Sequence, residues 1–331
     1  MKPLIVLLLM VCAAPLHAGN SWSDVVAISQ PRMVKIFGAG GLRGLESYQS
    51  GFFISERGHI LTVWSYVLDT ESVVVVTNHG RRYEAELVGA DPRLEIAILK
   101  VESDDVDYFE LQASNQAMPG DRILAFGNLF GVAVGDEQPT VLHGTVAPET
   151  QLAARRGAYR SRYQGPVYVL DAMTNNPGAA GGALTDLHGQ LLGILGKELR
   201  NAYNNTWLNY AIPTAELTSS VADILSGKIL PRSTDEQAAL PDKPHSMVNL
   251  GIVMVPNVLD KTPPFIERVI PNSPAFLAGL RPDDLILFVD GRTVASIGEL
   301  MAEVRQIHRD DVLPLQVLRD GGLVDVQLYH H

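Results

Sequence analysis

The sequence predicts a mostly β protein built in two parts, and three observations carry that reading. Between positions 34 and 230, short runs of β-branched and aliphatic residues alternate with turn signals. The stretch PRSTDEQAALPDKPHS (231–246) is rich in Pro, Ser and charge and reads as a linker. A small unit that alternates strand-like and helix-like segments follows it. The length of 331 residues is a soft prior for two domains, each long enough to bury a core.

The chain begins MKPLIVLLLMVCAAPLHAGN. Lys2 supplies a charged start, the apolar run 4–14 is too short to span a bilayer, and Leu16-His17-Ala18 is a tolerable cleavage site. Residues 1–18 therefore read as a secretory signal peptide, with an uncleaved anchor as the alternative. Cys12 raises a lipoprotein reading, but Val11 before it is larger than lipid-attachment signals usually accept. Because Cys12 is the only cysteine, the mature chain would have no disulfide, thiolate metal site or cysteine nucleophile. No later segment is apolar enough to cross a membrane, so the expectation is an exported protein, most simply periplasmic. A formal net charge of −11 argues against a nucleic-acid partner, since phosphate neutralisation needs a basic face, and otherwise reads as solubility.

In the first part, VVVVTNHGRRYEAELVG gives two strands around Asn78-His79-Gly80. IAILKV, RILAFG, VYVL and QLLGILG read as further strands. Helical periodicity emerges only in AIPTAELTSSVADILSGK, where Leu217, Val221, Ile224 and Leu225 share a face and Gly227 is a stop. Many short strands argue for a β-barrel or a sandwich closed by this helix. In the second part, FIERVI is a strand and SPAFLAGL a short helix. DLILFVDGRTV is a strand pair around Asp290-Gly291, SIGELMAEVRQI an amphipathic helix, and LPLQVLRDGGLVDVQLYH a closing hairpin.

Six segments, in this order, resemble the HtrA/Deg family of serine proteases: WSDVVAISQPRMVKIFG, SGFFISERGHILTVWSYVL, AELVGADPRLEIAILKV, FGNLFGVAVGDEQPTVLHGTVA, NNPGAAGGAL and NYAIP. Order and spacing together carry the resemblance, which covers nearly the whole mature chain. It implies a trypsin-like double β-barrel at 19–230, a linker at 231–246 and a small α+β PDZ domain at 247–331.

The resemblance also locates a triad whose chemistry is changed. The family's serine falls at Ala180 in the run Asn176-Pro177-Gly178-Ala179-Ala180-Gly181-Gly182. Its histidine falls at Ser65, counted from Thr62, and its aspartate, after Asp91-Pro92-Arg93, at Glu95. Acyl transfer needs a nucleophile, a base within hydrogen-bond reach and a group that orients the base. Alanine cannot attack, serine is no base near neutral pH, and Glu95 has no histidine to orient. Of the nine histidines, His59, His79 and His188 sit in turns and read as surface residues. His143 is the best candidate for a displaced base, though a satisfied histidine fits it better. His330-His331 reads as a frayed terminus. No histidine pair has metal-ligand spacing, so neither metal nor cofactor is expected. What remains is an oxyanion-type loop of Gly178, Ala179, Ala180 and Gly181, either still able to hold a carbonyl or carboxylate or relaxed.

In the second domain, Asn249-Leu250-Gly251-Ile252 resembles the carboxylate-binding loop of HtrA-type PDZ domains. Leu250, Gly251, Ile252, Met254, Ile297, Leu300 and Met301 would form the peptide site, with core packing as the competing reading for the apolar ones. The implied function is a catalytically inactive HtrA-like binder of protein C-termini or unfolded polypeptide, acting as scaffold, chaperone-like binder or regulator of an active HtrA paralogue. Family members commonly form trimers through the N-terminal segment, which makes Trp22 a candidate contact. The alternative is a periplasmic serine-type endopeptidase of protein quality control with an unorthodox active site. A third reading makes the protease-like domain a spacer.

Overall fold

The computed structural model describes residues 21–329 apart from 42–44, 71, 104, 134, 157–158, 177, 229, 231–239 and 258–261. The proposed signal peptide with Cys12, most of the linker and His330-His331 lie outside the described residues.

Helix α1 (Trp22–Ser29) starts at a capping box in which Ser21 and Asp24 exchange hydrogen bonds. Six strands follow: β1 (Met33–Phe37), β2 (Tyr48–Phe53), β3 (His59–Val63), β4 (Val73–Thr77), β5 (Arg82–Asp91) and β6 (Ile96–Lys100). They close into an antiparallel barrel in the order β1-β2-β3-β6-β5-β4. Next come β7 (Arg122–Gly127), β8 (Thr140–Gln151), β9 (Ala154–Arg156), β10 (Tyr159–Arg160), β11 (Pro166–Leu170), β12 (Ala183–Thr185), β13 (Leu191–Leu195), β14 (Leu199–Asn201), β15 (Trp207–Leu208) and β16 (Tyr210–Pro213). Of these, β11-β16-β13-β12-β7-β8 form a second closed barrel, while β10-β9-β14-β15 form a separate small sheet beside it. The architecture is thus a double barrel rather than a sandwich.

Side-chain period explains why several strands read as continuous apolar runs. In β6, Ala97 and Leu99 point into the first barrel, while Ile96 and Ile98 join a core that includes residues of both barrels. In β7, Ile123 and Ala125 fill the second barrel, while Leu124 and Phe126 face the shared core. Both faces of these strands are buried, so no polar alternation is left in IAILKV or RILAFG. The shared core cements the barrels along the seam above which the cleft opens.

Helix α2 (Thr214–Leu225) packs Leu217, Val221 and Ile224 against this core. It lies so close to β5 that a Cβ on Gly89 would meet Ile224 Cγ2 at 2.9 Å. Leu225, expected on the same face, is 44% exposed, since it sits about 100° around the helix from Ile224. Gly227, at φ +81°, follows the C-cap Ser226. A buried carboxylate fastens the helix: Asp91 accepts from Ser220 Oγ at 2.8 Å, and from Arg93 Nε and Nη2 at 3.0 and 2.8 Å.

The second domain comprises α3 (Met247–Leu250), β17 (Ile252–Met254), β18 (Ile266–Val269), α4 (Pro274–Leu277), β19 (Leu285–Val289), β20 (Arg292–Thr293), α5 (Ile297–Val304), β21 (Leu313–Arg319) and β22 (Gly322–Leu328). Its sheets are β17-β18 and β20-β19-β21-β22. The Asp290-Gly291 turn foreseen in the sequence joins β19 to β20, and Asp320-Gly321 joins β21 to β22 in the closing hairpin, with Asp290 and Asp320 both at positive φ. The Tyr66 ring meets Phe288 edge to face at 6.0 Å, joining this domain to the rim of the first barrel.

Burial raises the Asp91 carboxyl, but hydrogen bonds from Arg93 and Ser220 outweigh it and hold the group below the ordinary carboxylate range. Its contribution to stability is present above an unfolded carboxylate's pKa of about 4 and is lost as pH falls through the lower folded value. In urea unfolding at neutral pH, Asp91→Asn should cost about 2 kcal/mol. The gap between the two proteins should shrink as pH falls below about 4.

Candidate functional site

A cleft of about 340 Å³ opens where the two barrels and the second domain meet. Its walls bring together Ser65, Glu95, Gly178 and Ala180, residues from three distant parts of the sequence. The sequence-derived triad positions therefore share one site.

The loop carrying Ala180 is held from the first barrel by Ser50, which is fully buried. Ser50 Oγ donates to Gly178 O at 2.6 Å and accepts from Asn128 N at 2.7 Å. Ser50 N donates to Ala180 O at 2.9 Å, and Ser50 O accepts from Thr62 Oγ1 at 2.6 Å. Two glycines are required by space: a Cβ on Gly178 would meet Asn128 O at 2.0 Å, and one on Gly181 would meet Ser50 O at 2.3 Å. Both have positive φ, +85° and +82°. Ala179 is fully buried, and the Ala180 methyl packs partly on the shared core. Among the described residues, the amides of Gly178 and Ala180 donate to no protein acceptor. Free amides in such a turn suit a carbonyl or carboxylate oxygen.

Ser65 is already committed within the first barrel. Its hydroxyl donates to Gln49 Oε1 at 2.5 Å and accepts from Val67 N at 3.1 Å, capping a short 3₁₀ turn. Gln49 is fixed in turn by donating to Thr62 Oγ1 at 2.7 Å and Val63 O at 2.9 Å.

Glu95 has the left-handed φ of +55°, uncommon for a non-glycine residue. Its carbonyl accepts from Trp64 N at 2.7 Å. Its carboxylate accepts from Lys197 Nζ and Ser161 Oγ, each at 3.1 Å. The Lys197 ammonium thus serves as a cationic partner for the acidic member of the constellation. Sequence reasoning missed this pair, which joins residues 102 positions apart. Beneath it, Tyr210 Oη accepts from Lys197 N at 3.1 Å, and burial, reinforced by Glu95, pushes the Tyr210 phenol above its ordinary value.

Among the described residues lining this cleft there is no histidine. His143 lies elsewhere, exposed and stacked on Trp22 with ring centroids 4.1 Å apart, in a groove beside α1 that it shares with His79. Trp22 therefore packs on its own chain. His59 Nδ1 bonds Ser55 Oγ at 2.8 Å within a turn, and His188 is exposed beside Asp186. Among the described residues no cluster of three metal-ligating side chains forms, and no helix is long and apolar enough to cross a membrane.

In the second domain, Gly251 caps α3 at φ +74°, and its amide donates to Met247 O and Val248 O. Leu250 N donates to Ser246 O at 3.1 Å. Leu250, Ile252, Ile297 and Leu300 are core residues, at most 3% exposed. Met254 is half-buried, and Met301 is 39% exposed. Of the proposed peptide-contact side chains, these two methionines reach the surface.

The trypsin-like peptidase domain family matches residues 49–194, and the PDZ domain family matches residues 248–329. A probable periplasmic serine endoprotease DegP-like from Marinomonas sp. (strain MWYL1) is 33% identical over 286 residues. The match covers 83% of this chain and 55% of the relative. The chain is thus similar to HtrA/DegP proteins in both of its matched regions. The periplasmic serine endoprotease DegP of Escherichia coli (strain K12) is 28% identical, the match covering 88% of this chain and 58% of DegP. The chain thus spans little more than half the length of these curated relatives. Among solved structures, the serine endoprotease from Yersinia pestis superposes with a TM-score of 0.50 at 24% identity, covering 94% of this chain and 97% of that one. The HtrA-type protease AlgW solved with a decapeptide gives 0.51 at 22% identity, covering 94% and 98%. These two likenesses establish the fold. The HtrA/DegP relationship accounts for the double barrel followed by a PDZ domain.

Removing the Ser50 hydroxyl leaves Gly178 O without its donor and Asn128 N without its acceptor, both in buried surroundings. Ser50→Ala should therefore lower stability in chemical denaturation by about 2–3 kcal/mol. Amide exchange should accelerate in the 178–182 loop before it does in the barrels.

Proposed function

We propose that this chain is an exported, periplasmic HtrA-type protein that holds polypeptide in its protease-homology cleft and PDZ domain without cutting it. It would act as scaffold, chaperone-like binder or regulator of an active relative. The observation that carries this reading is Ala180. A methyl group occupies the position of the family's nucleophile, inside a loop whose turn, ties and close packing are all kept. A methyl group cannot form an acyl-enzyme. Two further observations support the reading: the Ser65 hydroxyl is engaged by Gln49 and by the turn it caps at Val67 N, and Glu95 is clasped by Lys197 rather than an imidazole. The free amides of Gly178 and Ala180 suit a carbonyl oxygen of a bound chain.

A second reading, a periplasmic serine-type endopeptidase with an unorthodox site, draws on the names of the relatives, which are serine endoproteases. Those names fit this second reading better than the first; the first rests on this chain's own residues. Incubation of the purified mature chain with an unfolded protein, alongside DegP as positive control, separates the two. The proposal expects intact substrate throughout. Sustained cleavage that persists in an Ala179→Gly/Ala180→Gly double variant and disappears on His143→Ala would establish the second reading.

Ala180→Ser alone should restore no measurable turnover of an unfolded protein, because no base stands beside it. Measurable hydrolysis by that single variant would contradict the proposal. For the PDZ domain, Gly251 is a poor probe, since any Cβ there meets Ser273 Cβ at 2.2 Å. Met254→Asp and Met301→Asp should instead weaken binding of peptides with apolar C-termini about tenfold while leaving the thermal midpoint unchanged. Unaltered affinity would favour the spacer reading.

A further inference from the structure

The loop that opens the PDZ groove has turned its amides inward. Asn249 N donates to the Ser246 hydroxyl at 3.2 Å, and Leu250 N donates to Ser246 O at 3.1 Å. Gly251 N donates to Val248 O at 3.1 Å as it caps α3. A terminal carboxylate is captured by successive amides that converge on it. Here the three amides before β17 are engaged in the helical turn they close. Ile252 differs. Gly251 O accepts from Ile270 N at 2.8 Å, on the β18 side. A trans peptide points its C=O and N–H opposite ways, so Ile252 N faces away from β18. Among the described residues β17 pairs with β18 alone, which leaves that edge open to a further strand. The groove thus keeps the edge that pairs with a peptide backbone and lacks the nest that grips a chain end.

A cluster of exposed apolar side chains borders the loop end of this groove. Val248 is 81% exposed and Leu277 64%, with Ile270 and Phe276 exposed beside them. The fold gathers them around Gly251. A Cβ there would meet Ser273 Cβ at 2.2 Å and Ile270 Cβ at 3.3 Å. Ser273 caps α4, which carries Phe276 and Leu277. The two converging stretches, 246–257 and 269–280, contain no Asp, Glu, Lys or Arg, in a chain with 37 acidic and 26 basic residues. Singly exposed apolar residues are ordinary, but four around one loop form a patch that marks an interaction surface. Continuity with the groove decides its occupant. Strand β17 is three residues long. A longer bound strand, with no terminus held at the loop, runs on past Gly251 to the patch. We propose that the PDZ domain binds internal segments of polypeptide rather than chain termini. The segment pairs with β17 and continues with apolar side chains onto Val248, Ile270, Phe276 and Leu277. The inference rests on the polypeptide-holding reading above and names its ligand class, an extended, uncharged, apolar stretch inside an unfolded chain.

The test is fluorescence anisotropy of the full mature chain with three labelled peptides that share a core of alternating Ser and Val. One ends in a free carboxylate and one in an amide. The third continues past the core into alternating Ser and Leu before an amide. The first two should bind within about twofold of each other, and the third at least about tenfold tighter. Val248→Ser/Leu277→Ser should remove that gain while leaving the two short peptides and the thermal midpoint unchanged. Met254→Asp should weaken all three. A loss of about tenfold or more on amidation would reveal a captured terminus and overturn the inference, leaving the polypeptide-holding reading standing. A Ser/Leu tail that adds nothing would overturn it too. If the double variant then abolishes self-association or binding to phosphatidylcholine vesicles, the patch belongs to a second copy or to lipid. Binding of none of the three peptides would overturn the inference, and an unfolded protein also left unbound would remove the polypeptide-holding reading with it.

Discussion

Ser50 is the point on which the cleft depends. Its amide, carbonyl and hydroxyl together engage three segments: the 178–180 loop through the Ala180 and Gly178 carbonyls, β3 through the Thr62 hydroxyl, and the loop after β7 through the Asn128 amide. One buried residue of the first barrel thus fixes a strand of its own barrel and two loops of the second. Because Ser50, Thr62, Gly178 and Asn128 are buried, their groups cannot let go without leaving an unsatisfied partner. That constraint explains why this glycine-rich loop keeps its shape around an alanine. The loop is part of the fastening between barrels, and the fold needs it whatever stands at position 180. The same ties leave the Gly178 and Ala180 amides free to meet a ligand.

Around this fastening, the other two members of the constellation have local roles. Ser65 caps a turn, and Glu95 holds a left-handed backbone and an ion pair with Lys197. Backbone strain of this kind persists where surroundings over-determine it, and such positions cluster at functional sites. The cleft is further bounded by the PDZ domain, which contributes Phe288, Arg292 and Thr293 to its wall. A chain bound there would contact both domains at once, so the binding contributions of the two would reinforce each other.

Much of the fold was legible because burial leaves a periodic trace. Strands buried on both faces appear as unbroken apolar runs, and Asp-Gly turns and the α2 periodicity mark their elements. The small four-stranded sheet was not legible: LAARRGAYRSR and NAYNNTWL show no alternation, and its two edge strands are two residues long. Its existence depends on tertiary pairing. At the site, Ser65, Glu95 and Ala180 were found through family spacing, and the structure gathers them. Lys197 was missed because an ion pair across 102 residues has no local signature. Ser50 was missed because a buried serine inside a strand resembles any other polar interruption. The PDZ contact set was only partly resolved: an amphipathic helix shows which residues are apolar, but not which of them face the core and which the groove. Leu300 and Met301 are neighbours with opposite fates.

The central claim is that a preserved protease loop now holds polypeptide. Hydrogen–deuterium exchange of residues 178–182, with and without a saturating unfolded polypeptide, tests it most directly. The account predicts slowed exchange of the Gly178 and Ala180 amides on binding, with the polypeptide recovered intact. Binding that leaves exchange of this loop unchanged, or that yields fragments of the polypeptide, would contradict it.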